Sequence, residues 1–151
     1  MAVLPSQDRT IDILLLASDG GQGAVTPAQG AITACQVAGA AKIIDTGAAR
    51  FVGDAIFDLG AVTATAGVAG AMVVQGSNSS TFANTVVTLG CMPVGDTASI
   101  GESADDAGAA RYVIPFENQK KGVTYRYLRC GVLGIGATSS VDVDFAYIAK
   151  R

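Results

Sequence analysis

Val141-Asp142-Val143-Asp144-Phe145-Ala146-Tyr147 decides the fold class. Apolar and polar residues alternate along it, so in an extended chain Val141, Val143, Phe145 and Tyr147 share one face and Asp142 and Asp144 point the other way. A helix, with 3.6 residues per turn, would scatter the same side chains around its axis.

Working back from this strand, Val123-Thr124-Tyr125-Arg126-Tyr127-Leu128-Arg129-Cys130-Gly131-Val132 reads as a second long strand. It places Leu128, Cys130 and Val132 on one face and Tyr125, Tyr127 and Arg129 on the opposite one. Arg111-Tyr112-Val113-Ile114-Pro115-Phe116 precedes it, and Glu117 to Gly122 supplies turn chemistry, which predicts an antiparallel hairpin over 111–132. Pro115 has no N–H for a ladder and so belongs at an edge, a strand end or a bulge. Upstream, Ala71–Gln75 and Thr85–Leu89 are short β runs joined by a polar, turn-prone stretch from Gly76 to Asn84. Ala31–Gln36, Lys42–Thr46 and Ala55–Leu59 are weaker strands. The sum is an all-β fold, a jelly roll or β-sandwich of about eight antiparallel strands. The 19 glycines fall between apolar runs without a fixed period, which is turn punctuation and not a repeat.

Two segments stand apart from that pattern. Residues 1–30 hold one apolar run followed by Ser18-Asp19-Gly20-Gly21-Gln22-Gly23, and read as an extended N-terminal arm with a flexible joint, leaving 31–151 as the β domain. Gly95 to Ala110 is acidic and rich in small residues, and reads as a long exposed loop.

At 151 residues the chain fits one domain. Half of its residues are hydrophobic and only 15% are charged, which leaves few charges to solvate every face of a lone monomer and points to protein contacts. Net charge is −3 and no basic run exceeds Lys120-Lys121, so nucleic acid is excluded as a partner by the missing electrostatic footprint. The run Ile11 to Ala17 is interrupted by Asp12 and too short to span a bilayer, so no membrane association and a cytoplasmic site of synthesis are expected. Cys35, Cys91 and Cys130 are odd in number and widely spaced, with no histidine to complete a metal set; free, buried thiols are expected.

Motifs for chemistry are sparse. Ile43-Ile44-Asp45-Thr46-Gly47-Ala48 resembles the signature of retroviral-type aspartic proteases, with Val132-Leu133-Gly134 as a bracing segment, but the residues that follow depart from that family and a strand ending in an Asp-Thr-Gly turn accounts for the run. Asp142 with Asp144, and Asp105 with Asp106, lack the spacing of a calcium loop and read as solvated carboxylates. Asn78-Ser79-Ser80 reads as a turn. Without histidine, Ser-His and Cys-His nucleophiles cannot be built within one chain. No catalytic, cofactor-binding or metal residues are therefore assigned, and no enzyme activity is expected. The candidate residues are for protein contact: Tyr125, Arg126, Tyr127 and Arg129, of types enriched at interfaces, and Ile11, Ile13, Leu14, Leu15 and Leu16 of the arm.

Val73 to Ala83, Arg111 to Phe116 and Thr124 to Arg129 carry a resemblance. Across residues 43 to 148 the succession of strand, Ser/Asn-rich turn, strand, long loop and final hairpin resembles the small capsid cement, or decoration, proteins of tailed bacteriophages. That resemblance implies a jelly roll, a homo-oligomer with a trimer preferred over a dimer, the major capsid protein as partner, and a place on the virion's capsid surface. The arm lies outside the match. A virion receptor- or carbohydrate-binding module is the first alternative, and a retroviral-type aspartic protease built from Asp45 of two copies is the second.

Overall fold

The computed structural model describes residues 15–63, 69–95, 109–135 and 140–151. In chain order the strands are β1 (Leu16–Ser18), β2 (Ala24–Val25), β3 (Ile32–Ala34), β4 (Gln36–Val37), β5 (Ala40–Ala41), β6 (Ile44–Asp45), β7 (Val52–Thr63), β8 (Ala69–Ser77), β9 (Val86–Gly95), β10 (Ala110–Glu117), β11 (Gln119–Lys120), β12 (Val123–Thr124), β13 (Tyr127–Gly134) and β14 (Ser140–Lys150). One antiparallel sheet runs β1-β14-β7-β10 with β2 also on β14; the other runs β3-β13-β8-β9 with β6 also on β13. The all-β sandwich read from the sequence is the fold observed. Pro115 sits on β10, an edge strand, where its missing N–H breaks no ladder.

The core lies between the sheets. Phe57, Leu59, Ile114, Phe116, Val141 and Ile148 from the first meet Met72, Val74, Leu128, Cys130 and Val132 from the second, all buried. Each large apolar side chain so enclosed contributes about 1.5–3 kcal/mol. Leu128, Cys130 and Val132 thus point inward together, as their alternation predicts.

Several expectations are corrected. The hairpin over 111–132 does not form. β10 pairs with β7 from Ala110↔Leu59 to Glu117↔Val52, whereas β13 pairs with β8 and β3 in the other sheet. The turn chemistry of 117–122 is used locally instead, where Lys121 (φ 51°) and Gly122 (φ 78°) close the two-residue loop between β11 and β12. The single strand over 123–132 is likewise two, broken at Tyr125 and Arg126.

The four apolar residues of Val141 to Tyr147 do not share a face. β7 carries an extra residue between Val141↔Val62 and Val143↔Leu59, and β14 carries one between Val143↔Leu59 and Phe145↔Asp58. The second bulge reverses the alternation. Val141 and Val143 face the core, but beyond the bulge Ala146 and Ile148 take over, while the Phe145 and Tyr147 rings lie outside, 5.4 Å apart. Gly60 makes room for it: a Cβ there would lie 2.6 Å from a carboxylate oxygen of Asp144.

Cys35 and Cys130 are buried free thiols, but Cys91 is exposed. Met92 pairs with inward-facing Met72 and Gly90 with inward-facing Val74, so Cys91 between them faces outward on an edge strand.

Of the arm expected over residues 1–30, residues 15–30 are part of the sandwich. Leu16 pairs with Tyr147, Ala24 and Val25 pair with Asp142 and Val141, and Ala17 is wholly buried. The expected joint is a tied turn, in which the Asp19 carboxylate accepts the Gly21 and Ala38 N–H groups at 3.0 and 2.7 Å. Ile11, Ile13 and Leu14, and all but the ends of the loop expected over 95–110, lie outside the described residues.

Candidate interaction surfaces

The aromatic and cationic cluster is built where β6 and β8 flank β13. Asp45 lies opposite Tyr127 on β6, and Ser77 lies opposite it on β8. Arg126, in the strand break, makes a two-pronged pair with Asp45, 2.8 Å on each prong, and its guanidinium stands 5.2 Å from the centre of the Tyr127 ring. The Gly47 N–H adds a third bond to the Asp45 carboxylate. Arg126 first, then this N–H, holds the Asp45 carboxyl down at about 2, and Arg126 is raised in turn. Asp45 therefore has its two oxygens occupied by a cation, an arrangement that suits a surface clasp and not a carboxyl that shares a proton.

Arg129 points from the same face. Its Nε donates to Gln75 Oε1 at 2.9 Å and its guanidinium lies 4.4 Å from the centre of the Phe82 ring, in the loop between β8 and β9. No carboxylate bonds it among the described residues, and partial burial lowers its pKa. Tyr125, expected on that face, is buried instead. Its backbone is taken by Asn118, which receives the Tyr125 N–H on its carbonyl at 2.7 Å and donates Nδ2 to the Tyr125 carbonyl at 3.0 Å. Tyr125 borders an open cleft of about 340 Å³, lined also by Asn78, Ser79, Asn84, Thr85 and Val123.

A second surface was not anticipated. On the outside of the first sheet, Leu16 pairs with Tyr147, Tyr147 with Ile56, and Ile56 with Val113, so four apolar side chains form one row across β1, β14, β7 and β10. Val113 is 44% exposed, Leu16 and Tyr147 are half-buried, and Ile56 is screened between its neighbours. Of the two described residues of the expected arm contact, Leu16 is half-buried and faces outward from the first sheet, whereas Leu15 packs against the core. Two-pronged ion pairs border the row: Arg111 with Asp58 at 2.6 and 2.8 Å on one side, and Arg151 with Asp54 at 2.9 and 2.6 Å on the other. The alternation within β7 and β10 marks Ile56 and Val113 as same-parity residues of their strands, but joining them to Tyr147 and Leu16 needs the cross-strand register.

Protein-family models, curated proteins and solved structures were compared with this chain, and none matches it.

Proposed function

We propose that this chain is a structural virion protein, a cement or decoration protein that self-associates and binds the major capsid protein at the surface of a tailed-phage shell. The observation that carries the reading is the row Leu16–Tyr147–Ile56–Val113, an apolar band on a face of the sandwich that its own core does not use. Apolar bands bordered by polar residues mark protein contact surfaces. The Tyr127, Arg126 and Arg129 cluster offers a second contact region, with guanidinium planes presented on aromatic rings. The reading also draws on the resemblance carried by residues 43 to 148, and it assigns the chain no catalytic role and no cofactor.

The test is to mix purified protein with shells assembled from the major capsid protein of the same phage and to sediment them. Co-sedimentation at a saturating, fixed ratio is expected, with greater resistance of the shells to heat. Failure to co-sediment at micromolar concentration would overturn the proposal. The cleft beside Tyr125, with its neutral amide and hydroxyl lining, favours a second reading as a carbohydrate-binding module. Glycan binding that Asn84→Ala abolishes would put that reading first.

A further inference from the structure

We infer that Cys35 and Cys130 close into a disulfide when the chain folds in the presence of an oxidant, a covalent staple that ties the edge strand β3 to its neighbour β13. The inference goes beyond the virion reading and does not depend on it.

The register sets the two residues opposite each other. β3 and β13 pair Ile32 with Leu133, Thr33 with Val132 and Ala34 with Gly131, and the next step of that ladder puts Cys35 against Cys130. The Cys35 N–H donates to the Cys130 carbonyl at 2.9 Å, so the two backbones are still in contact there. Opposite residues joined in this way across an antiparallel pair have Cα atoms about 5.5 Å apart, inside the roughly 4.4–6.8 Å that a disulfide spans. Opposite residues also project to the same face, and both of these side chains lie in the core, 2% and 1% exposed. Their nearness is felt at Cys130, whose thiol is pushed up first by burial and then by the charge of Cys35.

Three cysteines allow three pairings, and the sheet permits one. Cys91 lies opposite Val73, and Val73 opposite Gly131, so Cys91 belongs to the row beside Cys130 and faces the other side of the sheet. β8 also separates its strand from β13, a distance of roughly 10 Å that no disulfide crosses. The permitted bond reinforces a weak place. β3 holds only three registered pairs at the sheet's edge, and a bond from Cys35 to Cys130 would enclose residues 36–129, a long loop whose freedom in the unfolded chain it removes.

The co-reactant is a low-molecular-weight disulfide such as oxidised glutathione. One cysteine thiolate attacks it and expels a glutathione thiolate, leaving a mixed disulfide; the other thiolate attacks the protein-side sulfur and expels the second glutathione. One S–S bond breaks and one forms, and the two electrons and two protons lost by the protein thiols end on two glutathione molecules. Burial holds the Cys35 thiol up at about 12 and Cys130 well above its ordinary value, so thiolate is scarce in the native core and the bond closes during folding, before the core seals.

The test refolds the full chain from urea in two buffers, one with equimolar oxidised and reduced glutathione and one with dithiothreitol, then blocks free thiols and maps peptides without reduction. In glutathione, most chains are expected to carry the link between Cys35 and Cys130, with Cys91 joined to neither. The melting midpoint of the glutathione product should lie about 10 °C above that of the dithiothreitol product, the rise that closing so long a loop gives a chain of this size. Cys91→Ser should keep that difference and Cys35→Ala should abolish it; each variant is compared with itself in the two buffers, so its own loss of packing cancels. Cys35 and Cys130 left free or singly glutathionylated in most chains, a link from either to Cys91, or a midpoint no higher in the linked protein would overturn the inference.

Discussion

Replacing Asn118 by alanine tests whether one buried amide holds the crossing between the two sheets. Asn118 is fully buried and its side chain is used at both ends: Oδ1 accepts the Phe51 N–H at 2.7 Å, and Nδ2 donates to the carbonyls of Tyr125 at 3.0 Å and Ala49 at 3.1 Å. It therefore ties the start of β7, the end of β10 and the break before β13 to one another. Alanine leaves the Phe51 N–H and the Tyr125 carbonyl unpaired in the interior, at about 1–3 kcal/mol each. The Ala49 bond is only partly buried, so water replaces it at small cost. The expected loss is about 3–4 kcal/mol, a large part of the ~5–15 kcal/mol that stabilises an ordinary domain. At about 2–4 °C per kcal/mol for a chain of this size, the melting midpoint should fall by about 10 °C. Asn118→Asp separates this account from mere loss of volume. It keeps the acceptor for Phe51 but turns a carboxylate toward two carbonyls, so burial and repulsion raise its folded pKa above the unfolded value. The variant should gain stability relative to wild type as pH falls from 7 to 4, as the carboxyl regains a proton to donate. Urea unfolding of both variants reads the two effects. A loss below 1 kcal/mol for Asn118→Ala, or no pH dependence for Asn118→Asp, would refute the reasoning.

Native thiol labelling followed by peptide mapping should modify Cys91 quickly and Cys35 and Cys130 only on unfolding, since burial pushes the Cys35 thiol up to about 12 and Cys130 well above its ordinary value. Equal labelling of all three would contradict the placement of β9. The Asp45–Arg126 clasp should contribute stability above pH 4 and lose it as pH falls toward 2, because the folded pKa of Asp45, about 2, is depressed from 3.8. Asp45→Asn should flatten acid unfolding in that window, and an unchanged pH profile would show the clasp to be idle. Gly134→Ala brings a Cβ to 2.4 Å from the Ala28 carbonyl oxygen and 2.5 Å from that of Pro27, backbone atoms that can yield only by loosening the Gly30 N–H to Gly134 carbonyl bond. A cost of about 1–3 kcal/mol is expected, and a wild-type urea midpoint would show that this backbone moves freely.

Much of the fold was legible from residue order. Alternation marked the strand near Leu128 to Val132, β-rich runs marked those near Arg111 to Phe116 and Ala71 to Gln75, and the absence of a ladder donor put Pro115 at an edge, a strand end or a bulge, of which the edge is observed. These properties belong to a residue and its immediate neighbours, through the two-residue period of extended backbone and the chemistry of proline and glycine. Of the contact residues, Arg126, Tyr127 and Arg129 do share one region, but only the tertiary structure gave Arg126 its Asp45 partner and Arg129 its Phe82 ring. It also decided which sheet each strand entered: β10 and β13 are close in sequence, yet β10 finds β7 and β13 finds β8, some fifty residues upstream in each case. One extra residue in β14 was enough to move Phe145 and Tyr147 out of the core, and with Tyr147 came the row that crosses to Val113. Local pattern specifies that a strand has two faces. Which face meets the core depends on register against a distant strand, because a single inserted residue inverts every side chain beyond it.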